Sequence, residues 1–305
     1  MDEQALGEAL RSAGYIGDAG LVTTLWFTRA LDRPLLLEGD AGVGKTALAG
    51  AVAVALGRRL VRLQCYEGLD LQQAAYEWNY ARQLLAIRLH ERPQAQSDHP
   101  MERDLTGRDL FAREFLLERP LLAALTSEVP VVLLIDEVDR ADEAFEAYLL
   151  EMLADWQITI PELGTVRARH VPLVILTSNG TRELSDPLRR RCLYYYVDYP
   201  TLEREITIVR ATIPDAAAQL IEDAVAFVQR LRREDLQKKP GIAETLDWVR
   251  ALHKLELRAL PEDPQSILRT LGCLLKTRDD RFQITAEHLA GLCGTRRTGV
   301  VAARA

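Results

Sequence analysis

The chain has 305 residues, is 48% hydrophobic, and carries a formal net charge of -7 with a sequence pI of about 5.4. That is enough apolar material for more than one buried core, and the acidic balance argues against a general nucleic-acid binder, which is usually basic. The strongest apolar run, "VPVVLLI" at 129–135, is too short to cross a bilayer, and "MDEQALGEAL" lacks the basic and apolar regions of a signal peptide, so a cytoplasmic protein is expected. Cys65, Cys192, Cys273 and Cys293 are far apart and read as reduced thiols.

In chain order, residues 2–13 and 18–31 read as helices, the second capped by Asp18. "RPLLLEG" at 33–39 is a short apolar strand, and "KTALAGAVAVALG" at 45–57 is a helix closed by Gly57. "RRLVRLQC" at 58–65 alternates as a second strand. "AAYEWNYARQLLAIRLH" at 74–90 reads as one helix leading into a polar loop at 91–104. "VPVVLLID" and "VPLVILTSN" are continuously apolar, as buried strands are, and the helix "EAFEAYLLEMLADW" lies between them. Strands alternating with helices predict an α/β domain with a parallel sheet over residues 1–200. Beyond Pro200 the pattern is helical only, which predicts an all-helical domain over 201–293 and a frayed tail at 294–305. Its helix faces are read as Ile221, Val225, Val228 and Leu231, and as Leu246, Val249, Leu252 and Leu255.

Three motifs carry chemistry. "GDAGVGKT" places Gly39, Asp40, Ala41, Gly42, Val43 and Gly44 between a strand and a helix, followed by Lys45 and Thr46. Glycines there let backbone N–H groups converge on phosphate oxygens, Lys45 is expected to reach the β- and γ-phosphates of ATP, and the Thr46 hydroxyl is expected to hold Mg²⁺. In "VVLLIDEVDRA", Asp136 and Glu137 end a buried strand, where parallel sheets place their ligands. Asp136 is a candidate Mg²⁺ ligand and Glu137 a candidate base for the attacking water; the pair read alone is equally well a helix cap. "VILTSNG" ends a further strand at Asn179, whose amide can orient that water or simply make a turn.

A fourth stretch, "LRRRCLYYYVDYP", sets Arg189, Arg190 and Arg191 ahead of a tyrosine-rich strand stopped by Pro200. Three guanidinium groups, none able to lose its proton, need solvent or anions.

The ordered set resembles the AAA+ ATPases, a P-loop NTPase fold with a C-terminal helical lid. "DEVDRA" and "VDYP" look like the MoxR branch, and "LQCYEGLD", "YEWNYARQLLAIRL" and "KPGIAETLDW" are similar to its CoxD-type members. The resemblance implies a ring, typically a hexamer, with ATP between subunits. It casts Arg191 first, and Arg189 second, as the finger that enters the neighbouring site. It implies chaperone-like maturation of a molybdenum hydroxylase or carbon monoxide dehydrogenase-type client, with a von Willebrand A domain protein as partner. Two insertions of the branch are expected: a hairpin at 156–170 turning at Gly164, and a segment at about 66–115 whose Tyr66, Tyr76, Trp78 and Tyr80 either face a client or form core. One position departs from the family pattern. Glu244 stands near where many MoxR proteins carry a sensor arginine, which leaves Arg250 to take that role or the lid to be read differently. The competing class is a nucleic-acid motor, a helicase loader or McrB-like restriction subunit, and the acidic balance weighs against it.

Overall fold

The computed structural model describes residues 1–90 and 110–293, which form two compact units. The expected loop at 91–104 and the tail at 294–305 lie outside the described residues.

The first unit holds Met1–Ala13, Gly17–Gly39 and Lys45–Tyr196. It runs α1 (Glu3–Ser12), α2 (Ala19–Ala30), β1 (Leu35–Glu38), α3 (Lys45–Ala55), β2 (Arg59–Gln64), α4 (Leu71–Ala74), β3 (Tyr76–Trp78) and α5 (Tyr80–His90). After the undescribed stretch come β4 (Leu116–Glu118), α6 (Pro120–Leu125), β5 (Val131–Asp136), α7 (Glu143–Asp155), β6 (Gln157–Ile160), β7 (Gly164–Arg167), β8 (Leu173–Ser178), α8 (Asp186–Arg191) and β9 (Leu193–Tyr196). Five strands make one parallel sheet in the order β2-β5-β8-β1-β9. The three inner strands are the apolar ones: every residue of β5 and β8 is buried, and Leu35, Leu36 and Leu37 of β1 are fully inside. Each such leucine contributes about 1.5–3 kcal/mol by leaving water. Register ties the motifs together, since Leu36 pairs with Leu176 on one side and Tyr194 on the other. The carboxyl ends of β1, β5 and β8 therefore lie side by side. Among the described residues no helix is long and apolar enough to cross a membrane.

One local reading needs correction. The single helix expected at 74–90 is a one-turn helix, a strand and a second helix. Tyr76–Trp78 pairs antiparallel with Leu116–Glu118, and that distant partner overrides the helical preference of the segment. The expected hairpin exists at 157–167, and Gly164, at φ 91°, closes its turn. It is the first residue of β7, opposite Ile160, with Pro161–Leu163 as the connection. The arginines at 189–191 form the last turn of α8, ahead of the tyrosine strand as expected. The aromatic question divides: Tyr76 and Trp78 are core, while Tyr66 and Tyr80 are exposed.

The second unit holds Gly14–Ile16, Asp40–Gly44 and the chain from Val197. Its helices are α9 (Leu202–Thr212), α10 (Ala218–Leu231), α11 (Ile242–Lys254), α12 (Pro264–Thr270), α13 (Arg278–Gln283) and α14 (Ala286–Cys293). Ile221, Val225, Val228 and Leu231 are buried on α10. On α11 the buried face is Thr245, Trp248, Val249 and Leu252, while Leu255 is 60% exposed because it follows the last helical turn. Trp248 and Phe227 centre this core, their rings 5.1 Å apart.

Candidate functional site

β1 ends at Glu38 and α3 begins at Lys45, so the six residues between them must reverse direction without a side-chain clash. Gly42 and Gly44 do this at φ 80° and φ 98°, a region that side chains disfavour. The loop thus presents backbone N–H groups at the start of α3, where the helix adds partial positive charge.

Lys45 is only 6% exposed, so its ammonium needs partners within the protein. It donates to the Gly39 carbonyl at 2.6 Å and to Asn179 Oδ1 at 2.8 Å. That second bond joins the first motif to the third across 134 residues of chain. Thr46 Oγ1 donates to Asp136 Oδ1 at 3.0 Å, joining the first motif to the second.

Asp136 is buried and held from three sides. Thr46 approaches from α3, Thr177 Oγ1 donates to Oδ1 at 2.6 Å from β8, and Arg62 Nη2 lies 2.6 Å from Oδ2 on β2. Glu137 follows at φ 56°, a left-handed conformation that costs a non-glycine residue on the order of 1–3 kcal/mol. Its N–H donates to Thr177 Oγ1 at 2.9 Å, and its carboxylate pairs with Arg140 Nε at 2.7 Å. The same threonine therefore fixes both acidic residues. Beside them Asp139 accepts from the Thr181 hydroxyl and N–H and from the Asn179 N–H. Burial alone would raise its carboxyl, but those donors, Thr181 foremost, hold it below the usual carboxylate range.

The arginines of α8 are all exposed and differ in their partners. Arg189 pairs with Glu183 at 3.4 Å and Arg190 with Asp186 at 3.6 Å. Arg191 makes no ion pair among the described residues, although its backbone carbonyl accepts from Arg33 at 3.1 Å. The structure gathers Lys45, Thr46, Asp136, Glu137 and Asn179 in one network and leaves the three arginines outside it.

Arg62, Arg140 and Thr177 are site residues that sequence reading passes over. Arg62 looks like the outward position of an alternating edge strand, and Arg140 like a solvated charge. The available signal for Arg140 was its spacing, three residues after Glu137 just past the strand end. Arg250, considered for a sensor role, pairs with Asp247 at 3.1 Å on an exposed surface.

A model of the AAA ATPase domain matches residues 26–175, which takes in the loop and Asp136–Glu137 and stops short of Asn179 and the arginines. The chain is 26% identical over 210 residues to the gas vesicle ATPase GvpN1 of Halobacterium salinarum, covering 66% of this chain and 56% of that protein. It is 28% identical over 211 residues to the gas vesicle ATPase GvpN of Haloferax mediterranei, with the same coverages. The match thus spans little more than half the length of these curated relatives. Among solved structures, a RuvB variant of Thermotoga maritima aligns with a TM-score of 0.47 at 20% identity, covering 93% of this chain and 70% of that one. The match to the AAA ATPase domain thus covers just under half of the chain and falls on the parallel sheet described above.

Proposed function

We propose that the chain is a MoxR-type, CoxD-like AAA+ ATPase that spends Mg-dependent ATP hydrolysis on remodelling a protein client. The observation that carries the ATPase reading is the Lys45–Asn179 and Thr46–Asp136 pair of bonds, which bring three motifs to one point beside the phosphate loop. A threonine hydroxyl and one buried carboxylate 3.0 Å apart are a donor set that suits Mg²⁺, which keeps several waters and takes its other oxygens from phosphates. Thr46 and Asp136 would hold the ion, whose charge would offset that of the β- and γ-phosphates.

The chain's own residues supply the rest. The N–H groups of Gly39–Thr46 bind the phosphates, and Lys45 offers its ammonium to the β- and γ-oxygens. Glu137 accepts the proton of the attacking water, and Asn179 orients that water through its amide. Arg191, with Arg189 as second choice, serves the site of a neighbouring subunit in a hexameric ring; its lack of an internal ion pair among the described residues supports the order of choice. The client we assign is a molybdenum hydroxylase or carbon monoxide dehydrogenase-type enzyme, matured with a von Willebrand A domain protein, and the support is the likeness of "LQCYEGLD" and "KPGIAETLDW" to CoxD-type sequences.

The test is to hold the chain on its client with Glu137→Gln in its own cell and identify what co-purifies. Recovery of the hydroxylase and the von Willebrand A protein is expected. Recovery of neither, with the hydroxylase fully active when the chain is deleted, overturns the client assignment. DNA-stimulated hydrolysis would favour the nucleic-acid motor instead.

A further inference from the structure

The loop segment Asp40–Gly44 belongs to the second unit, and its contacts there are backbone-close. The Ile242 N–H, at the start of α11, donates to the Gly42 carbonyl at 2.9 Å. Gly241 lies so near that a Cβ built on it would stand 2.7 Å from both the carbon and the oxygen of Gly42. Glu244 Oε2 accepts the Gly241 N–H at 2.9 Å and would come within 3.0 Å of a Cβ on Gly42. Glu244 therefore closes the helix start against the loop, which accounts for a carboxylate at this position.

A buried arginine anchors this contact. Arg232, 6% exposed, binds both oxygens of the fully buried Glu205 at 2.6 and 2.7 Å and donates through Nε to the Pro240 carbonyl at 2.6 Å. It fixes the residue immediately before Gly241. Arg232 also lies 4.9 Å over the ring of Tyr199, whose hydroxyl hydrogen-bonds Asp40 of the loop. Two arms thus run from one guanidinium to the loop, one through Pro240–Gly241 to Gly42 and one through Tyr199 to Asp40.

We infer that Gly241 and Arg232 are positioning residues for phosphate binding, acting by setting the plane of the Gly42–Val43 peptide. A trans peptide points its carbonyl and its N–H in opposite directions. With the Gly42 carbonyl tied to Ile242, the Val43 N–H is turned away from α11 and is free to join the N–H groups that receive phosphate. The requirement at 241 is for space rather than for backbone freedom: its φ of -81° and ψ of -172° suit any residue. The inference rests on the ATPase reading.

The experiment compares the full chain with Gly241→Ser and Tyr199→Phe, measuring binding of fluorescent ATP and ADP analogues, KM and kcat, and thermal unfolding. Serine is a good helix N-cap, so it keeps the helix start while adding the Cβ that strikes Gly42. Both analogues should bind Gly241→Ser about tenfold or more weakly, and KM should rise by more than kcat falls, because a misplaced cradle costs affinity first. Tyr199→Phe should lose affinity several-fold with its fold intact. Nucleotide affinity within about twofold of the parent in a folded Gly241→Ser protein overturns the inference. If Gly241→Ser does not fold, unchanged affinity in Tyr199→Phe does so instead. A parent chain that binds neither analogue overturns the ATPase reading, and the inference falls with it.

Discussion

Arg62 Nη2 stands 2.6 Å from Asp136 Oδ2, so the carboxylate at the end of β5 is neutralised by the neighbouring strand. The Arg62 side chain is 51% exposed and Asp136 is 3% exposed, so the cost of losing the pair falls on the aspartate. Arg62→Ala leaves a buried carboxylate with hydroxyl donors alone, an expected loss of about 1–3 kcal/mol. Asp136→Asn removes the charge that needs the arginine. Thermal or urea unfolding of both single variants and the double variant should show the arginine's cost largely abolished once Asp136→Asn is in place; full additivity would deny the coupling.

Asp139 gives a pH signature. Its folded carboxyl lies below its unfolded value of about 3.9, so the stability it contributes is fully present above that pH and is lost as pH falls through the folded value. The stability gap between the parent and Asp139→Asn in urea unfolding should be constant near neutrality and shrink below about pH 4. A gap that widened on acidification would reverse the assignment.

Arg191 is predicted to act on a neighbour's site. Lys45→Ala destroys a subunit's own loop, whereas Arg191→Ala leaves that loop intact and removes a donor offered to another. Each alone should be nearly inactive, since such an arginine contributes about 10³–10⁵ to the rate. Mixed rings should regain part of the hydrolysis, because some sites combine an intact loop with an intact arginine. Full activity of Arg191→Ala alone would exclude the residue, and loss of assembly by size measurement would mark it as structural and bring Arg189 forward.

What the sequence made legible was what is contiguous. "GDAGVGKT" sits between β1 and α3 as its pattern requires, and the apolar runs at 131–136 and 173–178 became the buried centre of the sheet. What escaped depends on partners far along the chain. Tyr76–Trp78 is a strand because Leu116–Glu118 pairs with it, and nothing local in a helix-favouring segment announces that. Arg62 meets Asp136 across 74 residues, and its alternating strand pattern signals only an outward face. Gly241 reads as a residue between proline and helix; its need for space comes from Gly42, far earlier in the chain, which only the fold brings near.

Glu137 is the proposed base of the ATP site, and its role is tested most directly by nucleotide binding and single-turnover hydrolysis in Glu137→Gln beside the parent. The glutamine keeps the shape of the side chain and removes its capacity to take a proton. The predicted result is ATP binding close to that of the parent, with the hydrolysis rate reduced by about 10²–10⁴-fold. Hydrolysis at the parent rate in a variant that binds ATP normally would contradict the account.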